Sequence, residues 1–92
     1  MNIILPIGSV DKIRDVDHSF MIFGYLQQSA TKEGVVDYVA VPYPSGNISI
    51  AHQIGFKMTD ITEVLFEGYI TDDFKPIKEL LELRKLVYDN QN

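Results

Sequence analysis

Up to residue 70, the apolar residues occur in short runs separated by turn residues, a pattern typical of β-strands. Three runs are strong: Phe20–Leu26, Val36–Val41 and Val64–Ile70. A further strand is predicted to run toward Ile13, and a weaker alternation predicts another short strand that begins at Ile48. The pattern therefore predicts about five short antiparallel strands, curled into a small, partly open barrel.

Single residues refine this strand pattern. Gly24 interrupts the strongest run, which predicts a β-bulge or a close approach of another chain segment. Pro42 has no amide hydrogen, so the end of its strand is predicted to lie at an edge, and residues 43–47 form a turn rich in proline, glycine and asparagine. Ile22 and Phe66, which lie in two of the strong runs, are predicted to be core residues.

From Thr71 onward, the spacing of apolar residues changes to that of an α-helix. The helix is predicted over about residues 73–89, with Asp72 or Asp73 as its N-cap. One half of its circumference is mostly apolar and comprises Phe74, Ile77, Leu80, Leu81, Leu83, Val87 and Tyr88. Such a face is predicted to pack against the sheet. The predicted fold class is therefore α+β, in one domain over residues 1–92, with a β-rich part over about 3–70 and a packed C-terminal helix.

Composition and charge exclude several classes of protein. The 92 residues include 13 acidic and 8 basic side chains, which give a net charge of −5, and no cysteine. Disulfide frameworks and thiolate metal sites are thereby excluded, and nucleic acid is disfavoured because its binding depends on basic residues. No apolar run approaches the ~20 residues that span a bilayer, and no basic leader is present. We therefore expect a cytoplasmic protein that binds neither membrane nor nucleic acid.

The sequence offers little catalytic chemistry. His18 lies beside Asp15 and Asp17, but the spacing is not that of a calcium loop. His52 has no identifiable nucleophile or cleft, and no glycine pattern of a phosphate-binding loop occurs. We therefore expect a protein that is not an enzyme, with no catalytic residue, no metal and no cofactor. A polar pocket that contained His52 would instead indicate a small enzyme or a ligand-binding barrel.

The tyrosines are the candidate binding residues. Five occur in this short chain, and tyrosine is enriched in protein–protein interfaces. Tyr43 and Pro44 are predicted to line an irregular sheet edge, and Tyr69 follows Gly68, which would let another chain come close. These three residues are the predicted partner-binding site. The alternative interpretation is that the tyrosines are half-buried strand residues with hydrated hydroxyl groups.

An ordered set of short motifs resembles a family of small proteins from Gram-positive bacteria. The family is a domain of unknown function that is commonly encoded beside LXG-type toxins of the type VII secretion system. The resemblance covers about residues 5–75, and the sequence departs from the family's usual pattern between Asn47 and Lys57. The motifs are Leu5-Pro6-Ile7-Gly8-Ser9-Val10, Met21-Ile22-x-Gly24, Asp37-Tyr38 leading to Tyr43-Pro44-x-Gly46, and Asp60-Ile61-x-x-Val64-x-Phe66-x-Gly68-Tyr69.

This resemblance implies a function. It implies a cytoplasmic, non-enzymatic accessory protein, a chaperone-like adaptor that binds an LXG effector or its small helical partners before export. An immunity protein that neutralises a cognate toxin is the first alternative, and a small enzyme or ligand-binding barrel is the second. The sequence does not indicate the oligomeric state of the protein.

Overall fold

The computed structural model describes residues 4–28 and 34–90 and contains, within these ranges, one antiparallel five-stranded sheet. The strands are β1 (Val10–Ile13), β2 (Ser19–Gln28), β3 (Val35–Tyr43), β4 (Ile54–Phe56) and β5 (Ile61–Phe66). Their spatial order is β4-β3-β2-β1-β5. Two 3₁₀ turns, Ile50–His52 and Met58–Asp60, flank β4, and helix α1 (Phe74–Asn90) follows the sheet.

The predicted α+β class, the five antiparallel strands and the C-terminal helix are confirmed. The sheet is open, with β4 and β5 as its edges, and it does not close into a barrel. The prediction of a strand that begins at Ile48 is wrong. Ile48 and Ile50 are 59% and 84% exposed, so their alternation does not mark the buried face of a strand. The chain makes a 3₁₀ turn there, and the strand begins at Ile54.

The central β2–β3 hairpin contains the bulge that Gly24 predicted. Ile22 pairs with Ala40 and Gly24 pairs with Val39, so the register shifts by one residue between these two pairs. A Cβ atom at position 24 would lie 2.7 Å from Cγ2 of Val39. Glycine therefore allows the two strands to stay close at the bulge.

The core is built around Tyr38, whose ring lies 5.7 Å from that of Phe56 and 6.0 Å from that of Tyr25. The backbone amide of Leu5 donates a hydrogen bond to the Tyr38 hydroxyl over 3.2 Å, and the Tyr25 hydroxyl donates to the Leu5 carbonyl. Two tyrosine hydroxyls thus hold the N-terminal segment against the core. The core cluster consists of Leu5, Ile13, Phe20, Ile22, Tyr38, Ala40 and Phe56.

The prediction that Phe66 belongs to the core is wrong, whereas Ile22 is fully buried as predicted. Phe66 ends the edge strand β5, pairs with Val10 of β1, and is 62% exposed. Cross-strand partners share a face of the sheet, so Phe66 lies with Val10 and Met21 on the face opposite to Phe20 and the core cluster, and its ring stays largely exposed. β5 also stops at Phe66 instead of Ile70.

Helix α1 contacts β2 and is fixed to the sheet by an ion pair. Nζ of Lys85 lies 3.0 Å from Oδ1 of the buried Asp37 in β3, and 3.0 Å from Oδ2 of Asp89. Burial alone would lower the pKa of Lys85, but its hydrogen bonds with the two carboxylates outweigh that effect and raise the pKa. Oδ2 of Asp37 also accepts a hydrogen bond from the Met58 amide, over 2.7 Å. Asp37 therefore joins β3, the second 3₁₀ turn and α1.

The predicted packing of the apolar helix face on the sheet is only partly correct. Phe74, Leu81 and Tyr88 are half-buried, but Ile77, Leu80, Leu83 and Val87 are exposed. The ion pair turns Lys85 toward the sheet, so residues on the other side of the helix face away from it. Within the described residues, α1 is neither long nor apolar enough to cross a membrane.

Asp11 is a buried carboxylate to which no described residue donates a hydrogen bond. The residue is fully buried, and neither Oδ1 nor Oδ2 has a partner within residues 4–28 and 34–90. It lies opposite Phe20 of β2 and Val64 of β5. Burial raises the pKa of Asp11 from 3.8 to about 7, because the charged form loses its hydration without compensation. The folded state therefore binds this proton more tightly than the unfolded state does.

This raised pKa predicts a specific pH dependence of stability. The contribution of Asp11 to the free energy of unfolding should fall as the pH rises from about 4 to about 7, and level off above that window. Asp11→Asn, which stays neutral, should therefore melt at a higher temperature than the wild type at about pH 8 and at a similar temperature at about pH 4. Thermal melts across this range measure the difference. A constant difference between the two proteins at every pH would contradict the prediction.

Candidate functional site

An apolar groove crosses the face of the sheet opposite the core. Cross-strand partners share a face and neighbours in sequence alternate, so Val10 and Met21 lie opposite to Asp11 and Phe20. The groove, which we call the outer groove, has a volume of about 520 Å³. It is lined by Gly8, Val10, Ser19, Met21, Tyr43, Leu65 and Phe66.

A second cavity, of about 490 Å³, lies beside the outer groove, where β3 runs into the following loop. We call it the histidine cavity, because both His18 and His52 line it. Its other lining residues are Phe20, Pro42, Tyr43, Pro44, Ser45, Ile48, Ala51 and Ile54. Tyr43 lines both concavities, so its side chain forms part of the wall between them.

Local structure explains why Tyr43 is accessible. β4 pairs only with Tyr38–Ala40 of β3, so the end of β3 has a strand partner on the β2 side alone. The Ser19 hydroxyl donates to the Tyr43 carbonyl over 3.3 Å, and the Gly46 amide donates to the Pro42 carbonyl over 2.7 Å. These bonds hold the backbone on both sides of Tyr43, while the residue itself is 50% exposed. The structure thus brings the predicted residues Tyr43 and Pro44 together in one cavity.

His52, which lines the histidine cavity, pairs with Ser49, which is not among the described lining residues of that cavity. The sequence did not reveal this pair. Oγ of Ser49 and Nδ1 of His52 share a hydrogen bond of 2.6 Å, and both residues are exposed. A nucleophilic serine needs a histidine that a third group orients, and no acidic side chain belongs to the described lining of this cavity. In the same described part of the chain, no three His, Cys, Asp or Glu side chains are grouped as metal ligands would be. Among the described lining residues, the pair therefore has no acid that could act as the orienting group of a catalytic triad.

Tyr69 lies in a different concavity. It is 85% exposed and lines a smaller space of about 180 Å³. The described lining of that space shares no residue with the outer groove or the histidine cavity. It consists of Pro6, Ile7, Tyr25, Tyr69, Thr71, Phe74 and Ile77. The structure therefore separates Tyr69 from the pair formed by Tyr43 and Pro44.

Gly68 allows a close approach, but the segment that approaches belongs to the same chain. The Gly68 amide donates to Oγ of the buried Ser9 over 2.9 Å, and a Cβ atom at position 68 would lie 2.2 Å from the Ile7 carbonyl oxygen. The contact fixes the N-terminal segment to the chain that follows β5. The close packing at Gly68 thus has a structural role within the fold.

Gly68→Ala should therefore lower the free energy of unfolding by about 1–3 kcal/mol, the usual cost of adding a methyl group where the backbone leaves no space. Glu67→Ala, at the neighbouring exposed position, is the matched control and should change stability by less than about 0.5 kcal/mol. Urea denaturation of both variants measures the contrast. Equal stabilities of the two variants would contradict the prediction, because they would show that the N-terminal segment and the chain after β5 can move apart without loss of stability.

Comparisons with known proteins identify the family. Searches among curated proteins and among solved structures gave no significant match. A family model described as "Domain of unknown function (DUF4176)" matches residues 4–75, which include the whole sheet and the first residues of α1. Both concavities around Tyr43 lie within the matched residues. The chain therefore belongs to the DUF4176 family of domains of unknown function.

Proposed function

We propose that this protein is a non-enzymatic cytoplasmic adaptor that binds an LXG effector of the type VII secretion system, or a small helical partner of that effector, before export. The proposal combines the ordered motifs of residues 5–75, which resemble proteins encoded beside such effectors, with a surface suited to protein binding. The family match over residues 4–75 covers the same part of the chain.

The observation that carries the proposal is the position of Tyr43. This half-exposed aromatic residue stands between two concavities that are lined mainly by apolar side chains. A tyrosine that a partner can bury on both sides is typical of a binding hot spot. No lysine, arginine, aspartate or glutamate belongs to the described lining of either concavity. An apolar segment of the partner is therefore the expected occupant.

The alternative of an immunity protein has less support. A net charge of −5 would suit a basic toxin. However, the concavities around Tyr43 present apolar residues, and the acidic residues are distributed along the chain without a dense cluster. The alternative of an enzyme depends on the Ser49–His52 pair, which lacks an orienting acid in the described lining of its cavity.

Co-expression with the neighbouring genes tests the proposal. The tagged chain should co-purify with a protein that mass spectrometry identifies as the N-terminal region of an LXG effector or its small helical partner. Recovery of the C-terminal toxin domain instead would support the immunity alternative and overturn the proposal. Recovery of neither under conditions where both neighbours are soluble would also contradict it.

A further inference from the structure

Helix α1 carries an apolar face that the described residues of the chain leave about half exposed, and Ile77, at the edge of this face, also lines the space around Tyr69. We call it the outer face of α1 and define it by Ile77, Leu80, Leu83, Leu86 and Val87, which are between 49% and 63% exposed. The family match ends at residue 75, so this face lies beyond the matched region. It also lies outside the concavities around Tyr43.

The outer face points away from the sheet. At 3.6 residues per turn, Leu80, Leu83 and Val87 lie on the opposite side of the helix from Lys85, whose ion pair with Asp37 attaches α1 to β3. The sheet therefore occupies one side of the helix and leaves the other side accessible. Two chains could join their outer faces with both sheets on the outside of the pair.

We propose that the outer face of α1 binds a second copy of this chain, with the two helices parallel. Leu80, Leu83 and Val87 have the 3–4 spacing of a coiled-coil seam, at positions a, d and a of the heptad. Ile77 and Leu86 fall at the flanking positions e and g and widen this seam. Five exposed apolar side chains on each helix would thereby be removed from water.

Charge complementarity selects a second copy and the parallel orientation. Glu79 falls at position g and Arg84 at the following position e, five residues later, which is the spacing of interhelical ion pairs in parallel coiled coils. Both residues are exposed, and no salt bridge is present for either one in the described part of the chain. A two-fold axis would pair each Glu79 with the partner's Arg84. An antiparallel pair would place Glu79 near the partner's Leu86, because g then faces g.

Charge reversal gives a sharp test. The wild type should sediment at twice the mass of one chain at high concentration and dissociate on dilution. Glu79→Arg and Arg84→Glu should each weaken self-association by about tenfold or more, because each creates like charges across both sides of the seam. An equimolar mixture of the two variants should restore the dimer as a heterodimer, because every g–e′ pair is again opposite in charge. Glu82→Arg, at position c, is the matched control and should dimerise like the wild type.

Circular dichroism should show that all these variants fold, because Glu79 and Arg84 are exposed and Glu82 is only half-buried. A wild type that stays monomeric at millimolar concentration would overturn the proposal. Failure of the mixed variants to associate, when the wild type does, would also overturn it, since another orientation or another surface would then form the dimer. Binding of a different protein's helix to the outer face, with no self-association, would overturn it as well.

Discussion

Phe56→Ala should lower the free energy of unfolding by about 3–5 kcal/mol, the usual cost of emptying a buried phenylalanine site. Phe56 is fully buried in the short edge strand β4, and its ring packs on that of Tyr38 at 5.7 Å. Native domains are commonly stable by only about 5–15 kcal/mol in total. The variant should therefore be marginally folded, which urea denaturation monitored by circular dichroism would measure.

Phe66→Ala is the matched control for this substitution. The same side chain is removed from the opposite edge strand, where Phe66 is 62% exposed. The loss of free energy of unfolding should be below about 1 kcal/mol, since most of the ring is already in contact with water. Equal losses for the two phenylalanine variants would contradict the location of the core between the N-terminal segment and strands β1 to β4.

Tyr43→Ala should weaken binding of the secreted partner by about thirtyfold, which corresponds to about 2 kcal/mol for a central aromatic anchor. The substitution removes the side chain that lines both the outer groove and the histidine cavity. Because Tyr43 is half-exposed, the melting temperature should change little. Isothermal titration calorimetry with the captured partner would give the affinity, and a thermal melt would give the stability.

The two histidines and Tyr69 provide the comparison variants. His18→Ala and His52→Ala alter the histidine cavity but leave the Tyr43 side chain in place. Both variants should therefore bind the partner as the wild type does. Tyr69→Ala should also weaken binding, because its 85% exposed ring is the second predicted aromatic contact for the partner. Normal binding by Tyr43→Ala together with loss of function in His52→Ala would instead point to a chemical role for the Ser49–His52 pair.

The strands were predictable from the sequence because alternation and turn residues act locally. The apolar run Val36–Val41 predicted most of β3, which extends one residue before it and two residues beyond it, and Gly24 predicted the bulge. The orientation of α1 was not predictable in this way. It depends on the pairing of Lys85 with Asp37, two residues that are distant in sequence, and the apolar pattern alone favoured the opposite face.

The candidate site was predicted only in part. The prolines around Tyr43 indicated an irregular strand end, and the structure places Tyr43 and Pro44 in one cavity. That both histidines line the same cavity depends on register, since the pairing of Ser19 with Tyr43 brings the start of β2 beside the end of β3. If the register between β2 and β3 could be predicted from the sequence, the position of His18 beside Tyr43 would follow from it. The position of His52 depends on the loop and the 3₁₀ turn before β4, which carry no comparable signal.

Separate titrations of the purified chain with the two halves of the neighbouring LXG protein test the central claim most directly. We predict that the wild type binds the N-terminal LXG region, that Tyr43→Ala binds it about thirtyfold more weakly, and that neither protein binds the C-terminal toxin domain. Binding to the toxin domain alone, or equal affinity of the wild type and Tyr43→Ala for the LXG region, would contradict the account.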